Sequence, residues 1–191
     1  MSDVSQAFAP VRAKLYKAPL GTNLSTITGP ASPLPIAFED MGAISLSAGF
    51  SITPAGAPSR TVEREYYDDK VFFVTKSPSD DLPTFDITAN ESNLLVLETA
   101  FGATVDEDGL LKYAGGIPEN SVIVLDLADA AASPKTMRYL MGNTGASING
   151  SVAGSGSAKL VKWPLRFTPE PSEAIDGDLF WSWASWLADA S

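Results

Sequence analysis

Proline and glycine recur along the whole chain, 14 and 15 of them in 191 residues, and they cut it into short pieces. Punctuation of that density favours many short strands over long helices. The pieces are still those of a folded protein. With 45% hydrophobic and 19% charged residues the chain is globular in composition, and its length fits one compact domain. A domain of this size buries enough surface to hold together without disulfides or metals.

The first ten residues are small and polar and are expected to form a mobile arm, residues 1–10, ahead of a single domain over 11–191. From Val11 to Ala18 the pattern alternates, Val11, Ala13 and Leu15 against Arg12, Lys14 and Tyr16, which predicts a half-buried strand. Residues 22–35, rich in Thr, Ser, Gly and Pro, read as a loop. A second strand region starts near Ile36 and resumes at Ile44, where Ile44, Leu46, Ala48, Phe50 and Ile52 alternate with small polar residues. Gly42 between the two halves suggests a bulge or a bend. Periodicity then fades over residues 53–70, a long loop of the kind that is often functional. Val71–Thr75 and Thr84–Thr88 have strand length and pattern.

One helix is expected, over about residues 90–101. Thr88 with Glu91 fits a capping box, Asn90 is an alternative cap, and Gly102 is placed to end it. Leu94, Leu97 and Phe101 would share its buried face. Asp106–Gly109 reads as a turn, Ser121–Leu127 as a strand buried on both faces, and Thr136–Met141 as another strand. Residues 142–158, rich in Gly, Ser and Ala, read as a second long, flexible loop. Val161, Trp163, Leu165 and Phe167 alternate, and Pro164 among them places that strand at an edge or a bulge. The Trp-rich C-terminus fits both periods. Trp181 and Trp183 share a strand face, whereas Leu179, Trp183, Trp186 and Leu187 share a helix face with Asp178 as cap, the arrangement favoured here.

The chain has no cysteine and no histidine. That removes thiolate nucleophiles, thiolate metal sites, imidazole chemistry and the Ser-His-Asp triad together. The acidic doublets Asp68–Asp69 and Asp80–Asp81 lie in expected loops, where adjacent carboxylates are more often solvated surface than a glycosidase pair. Asp106-Glu107-Asp108-Gly109 lacks the later ligands and the spacing of an EF-hand. Gly154-Ser155-Gly156 is followed by Lys159 where a dinucleotide fingerprint needs glycine. No catalytic motif, cofactor site or metal site is expected. A formal charge of -10 argues against gripping a phosphate backbone. The first ten residues have no secretory pattern and no apolar run reaches membrane-spanning length, so a soluble protein made in the cytoplasm is expected.

The order of features carries a resemblance. Val11-Arg-Ala-Lys-Leu-Tyr-Lys-Ala-Pro-Leu-Gly-Thr22 resembles the opening of the major tail (tail tube) proteins of long, non-contractile-tailed bacteriophages. Phe38-Glu-Asp-Met-Gly-Ala-Ile-Ser45 follows in the expected place. Thr84 to Gly102 is similar to that family's strand followed by a helix. The likeness spans roughly residues 11–170, and rests on the order of short motifs.

The resemblance implies a mainly β chain: a β-sandwich or half-barrel of the tail tube fold with one flanking helix. It implies a non-enzymatic virion protein, assembled in the bacterial host cytoplasm into stacked, hexameric rings through which DNA leaves the capsid. The partners it implies are further copies of the chain, a tape-measure protein, and tail terminator and tip proteins. Double-stranded DNA would pass through without specific binding. The 53–70 segment lies where the family carries a loop that bridges rings, which makes Arg60, Glu63, Arg64, Tyr66, Tyr67 and Asp68 the candidate contact residues. The alternative from another class is a carbohydrate-binding or adhesion module of a phage tail, with Trp163 or the C-terminal tryptophans exposed in a groove.

Overall fold

The computed structural model describes residues 8–45, 50–56, 59–64, 71–77, 81–106, 108–113, 118–131, 133–155 and 160–188. In chain order the elements are β1 Arg12–Pro19, β2 Glu39–Ala43, β3 Phe50–Thr53, β4 Ser59–Arg64, β5 Val71–Ser77, β6 Thr84–Ala89 and the helix α1 Leu94–Phe101. Then come β7 Ala103–Val105, β8 Leu111–Tyr113, β9 Ser121–Ala128, β10 Thr136–Ile148, β11 Ala153–Ser155 and β12 Leu160–Pro169. A single 3-10 turn at Glu173–Ile175 leads to β13 Trp181–Ala184 and the short helix α2 Ser185–Ala188. The protein is mainly β, as its proline and glycine content predicts.

A nine-stranded antiparallel sheet dominates, with path β2-β1-β9-β10-β12-β6-β3; β11 pairs β12 and β13 pairs β10. Beyond β2 the chain reaches β6, the strand next to the other end of that path. Ile44 bridges Ala89, the Ser45 N–H donates to the Thr88 carbonyl, and the Asn90 N–H donates to the Ala43 carbonyl. The chain from Glu39 onward thus pairs β1 first and β6 afterwards, and the sheet closes on itself at this seam. The change of partner occurs next to Gly42, where Met41 and Gly42 oppose Leu15 alone, the expected bulge. Gly42 has φ 89°, and a Cβ there would overlap the Glu91 carboxylate, which lies over the bulge and accepts the Ala43 N–H at 2.9 Å.

Alternation along the strands sends two sets of side chains to opposite faces. Leu15, Met41, Phe85, Ile87, Ile123, Leu125, Leu127, Met141, Leu165 and Phe167 form the inner core, closed at one end by Val96 and Ala100 of α1. The outer face of β1, β9 and β10 carries a second cluster, Ala18, Val122, Val124 and Leu140. The 20–38 loop covers it with Leu24, Ile27, Leu34 and Phe38, joined by Ile175, Trp181 and Trp183. β9 is buried on both faces, as its nearly continuous apolar run predicts. Within this outer layer Arg138, 5% exposed, makes two bonds to Asp126 at 2.6 and 2.7 Å and donates to the carbonyls of Ser32 (2.7 Å) and Gly29 (3.3 Å). The loop is therefore fastened by a buried guanidinium.

Several expectations are corrected. The helix is shorter, is capped by Asn93, whose side chain accepts the Val96 N–H, and buries Val96, Leu97, Thr99 and Ala100; Leu94 is exposed. Thr88 stays in β6, and Glu91 is engaged at the β2 bulge, so neither is free to build a capping box. Gly102 ends the helix in the left-handed conformation, as expected.

Residues 53–70 are not loop throughout, because β4 pairs with β5 from Ser59 to Arg64. Nor are residues 142–158. β10 runs on to Ile148 through a bulge at Gly142–Asn143, and β11 returns along β12. Gly142 marks a close approach, since a Cβ there would meet the Ser172 Oγ at 2.8 Å.

Pro164 lies in an interior strand. Its carbonyl accepts the Asn149 N–H, so the missing donor falls opposite the turn where the ladder passes from β10 to β11. The C-terminus splits, with Trp181 and Trp183 in β13 rather than in a helix and the Asp178 carboxylate accepting the Trp181 indole N–H at 2.8 Å. Of the expected N-terminal arm, residues 1–7 lie outside the described residues. Phe8 is docked on the inner core and packs on Trp186 with ring centroids 4.8 Å apart.

Candidate functional site

Among the described residues no group of three Asp or Glu side chains is placed to hold a metal ion. The Asp106 carboxylate is consumed by its own turn. It accepts the N–H groups of Leu110 (2.9 Å) and Asp108 (3.2 Å), and the Lys112 ammonium lies 2.9 Å away. The Lys112 contact, then these backbone donors, hold its pKa below the usual carboxylate value. Donors and an ammonium surround the carboxylate where a cation would have to sit. Of the two acidic doublets, only Asp81 is among the described residues.

Lys17 titrates below the usual lysine value. Burial lowers its pKa, and Glu98, Glu39 and Glu119 act against that effect. It extends from β1 at the end of the strand, paired across to Glu39 and Ile123.

Of the six candidate contact residues, Arg60, Glu63 and Arg64 lie in β4; Tyr66, Tyr67 and Asp68 lie outside the described residues. In the β4–β5 ladder Arg60 is registered with Lys76, Glu63 with Phe73 and Arg64 with Val71, with an irregularity between Glu63 and Arg64. These two strands form a sheet of their own. An antiparallel ribbon of two strands is marginally stable alone and offers unpaired backbone groups on both outer edges.

The tryptophans divide. Trp163 is packed, its indole N–H donating to the Ser92 Oγ at 2.9 Å and its ring set edge-on to Phe101 at 5.8 Å. Trp181 and Trp183 stand nearly perpendicular to each other, 5.8 Å between centroids. With Leu24, Ser25, Ile27, Thr28, Ala174 and Ser182 they line an open groove of about 440 Å³ beside the outer cluster. Sequence reading named the two tryptophans but not the loop that forms the opposite wall, because nothing in residues 22–35 signals where a loop docks.

No family model matches the chain, and no curated protein matches it. No helix among the described residues is long and apolar enough to cross a membrane.

Proposed function

We propose that this chain is a structural subunit that assembles with copies of itself into stacked rings, forming the tail tube of a long, non-contractile-tailed bacteriophage. The observation that carries the reading is the β4–β5 ribbon, which pairs with no other strand among the described residues. A neighbouring copy supplies what such a ribbon lacks, a third strand or an apolar surface. Its place in the sequence is that of the ring-bridging loop in the resembling family, and Arg60, Glu63 and Arg64 fall on it. In this reading the protein performs no catalysis. Rings close by head-to-tail contact and stack openly along the axis, with tape-measure, terminator and tip proteins as further partners in the virion.

The charge fits this role. Six copies at -10 each would carry roughly -60, and the share of it facing the lumen repels the phosphates of passing DNA. Negative-stain microscopy of the concentrated protein tests the reading. Rings or hollow tubes of uniform diameter are expected, and discrete monomers that bind glycans would overturn it. A second reading, a carbohydrate-binding tail module, is favoured by one feature, the open groove walled by Trp181 and Trp183. Glycan-array binding abolished by Trp181→Ala, in a protein that stays monomeric, would favour it over the first.

A further inference from the structure

Asparagine followed by glycine is among the least durable steps in a polypeptide. The asparagine carboxamide carbon lies within reach of the next backbone nitrogen, and glycine has no side chain to shield that nitrogen or to hinder the backbone as it turns. The chain has six asparagines, and one of them, Asn149, precedes a glycine. The others are followed by Leu24, Glu91, Leu94, Ser121 and Thr144, each with a side chain beside its N–H.

Asn149 and Gly150 lie in the turn between β10 and β11. The turn is anchored on one side, where the Asn149 N–H donates to the Pro164 carbonyl at 2.8 Å. Neither of the two groups that would react, the Asn149 carboxamide and the Gly150 N–H, makes a hydrogen bond among the described residues. Asn149 is half-buried and lines an open cleft of about 270 Å³ with Ser51, Asp86, Thr88 and Pro164, which water can enter. Gly150 is exposed, with φ 103°, and nothing lies within 4 Å of where a Cβ would stand.

Two other steps into glycine are held shut. Gly109, after Asp108, donates its N–H to the Asp106 carbonyl at 3.0 Å, and Gly177, after Asp176, donates to the Ser172 carbonyl at 2.9 Å. In each the nitrogen that would attack is already bonded. Elsewhere the asparagine side chains are engaged: Asn23 accepts the Ser25 N–H, Asn93 caps α1, and Asn120 and Asn143 bond each other and Glu170.

We infer that Asn149 is a site of spontaneous covalent modification, through a cyclic succinimide formed with Gly150. The Gly150 nitrogen gives its proton to a solvent base and bonds to Cγ of Asn149; the Cγ–Nδ2 bond breaks, and the amide leaves as ammonia. Water then opens the ring. Attack at Cγ yields aspartate with an ordinary backbone, and attack at the main-chain carbonyl carbon yields isoaspartate, whose main chain runs through Cβ and Cγ. Either product adds a negative charge to a chain at -10, in a cleft that already holds Asp86. Isoaspartate also lengthens the main chain by one methylene just before β11 returns along β12. The inference concerns a single chain and does not rest on the assembly reading.

The test incubates the full chain for days in mildly alkaline heavy-oxygen water, as wild type, Asn149→Gln and Gly150→Ala. Circular dichroism checks the fold, and peptides are mapped by mass spectrometry after digestion in ordinary water. Wild type is expected to lose the Asn149 amide and to take up one oxygen from water there. The product should be a mixture of aspartate and isoaspartate, the latter detected with an isoaspartate-specific methyltransferase. Asn149→Gln, which would need a larger ring, and Gly150→Ala are each expected to lose this conversion; Asn149→Gln leaves the backbone of the turn unchanged, so its result stands even if Gly150→Ala misfolds. Conversion at Asn149 in urea-unfolded chain but not in the native protein would overturn the inference, because the fold would then be protecting the step. Aspartate without isoaspartate would overturn it as well, since that marks direct hydrolysis of the amide. So would conversion spread equally over the six asparagines.

Discussion

At the scale of single residues, two side chains carry electrostatic consequences of opposite sign. Arg138 is buried, yet each of its described contacts is an acceptor: both Asp126 oxygens and two loop carbonyls. Removing it leaves a partly buried carboxylate without its partner and unfastens the 20–38 loop. Arg138→Ala is expected to cost about 3–5 kcal/mol in urea denaturation. The double substitution Asp126→Leu/Arg138→Leu should recover a good part of that, because it leaves no orphaned charge. A single variant as stable as wild type would show that the pair is not holding the loop. Lys17 is the reverse case. Burial outweighs the attraction of Glu98, Glu39 and Glu119, so its folded-state pKa lies below the usual 10.5 and folding disfavours its charge. The penalty is fully present below the folded-state pKa and disappears as pH rises through that value toward 10.5. Lys17→Met is therefore expected to raise the thermal midpoint at pH 7, by an amount that shrinks toward alkaline pH. A lowered midpoint at pH 7 would mean that the surrounding glutamates dominate.

At the scale of elements, the decisive junction is where β2 leaves β1 for β6. Gly42 supplies the positive φ of the bulge and clears space for Glu91, and Asn93 ties the start of α1 back to the same place, with its amide donating to the Met41 carbonyl at 3.1 Å. Gly42→Ala meets both a left-handed backbone, costing about 1–2 kcal/mol, and the displaced carboxylate, whereas Asn93→Ala loses a helix cap for about 1 kcal/mol. Chemical denaturation should rank them in that order. Equal effects would mean that Glu91 swings away freely. The bulge was legible in the sequence because a change of sheet partner interrupts the alternation around Gly42, and Gly102 was legible because a helix end needs a left-handed residue. The cap at Asn93 was not, since Thr88 and Glu91 form a sound local motif that tertiary pairing takes apart. Gly142 is illegible in the sequence for a related reason. Glycine permits flexibility and close approach alike, and only the partner, here Ser172 with Ile175, decides between them. In β4, whose pairing among the described residues is with β5 alone, the alternation is weak.

At the scale of the whole molecule the governing quantity is the net charge, and it makes the mode of assembly measurable. Two copies at -10 each repel over a range set by the ionic atmosphere, about 10 Å at 0.1 M salt and about 3 Å at 1 M. If copies meet through apolar side chains, no ion pair spans the centre of the contact, so salt screens only the repulsion. Association should then tighten, by roughly tenfold between 0.1 and 1 M sodium chloride. Contacts built from charged pairs behave in the opposite way, because screening weakens the attraction that forms them. The β4 segment, with Arg60, Glu63 and Arg64, is composed for that second kind of contact. Sedimentation at the two salt concentrations therefore separates the surfaces. Tighter association at high salt places an apolar contact at the interface that limits assembly. Weaker association at high salt would place the charged ribbon there instead.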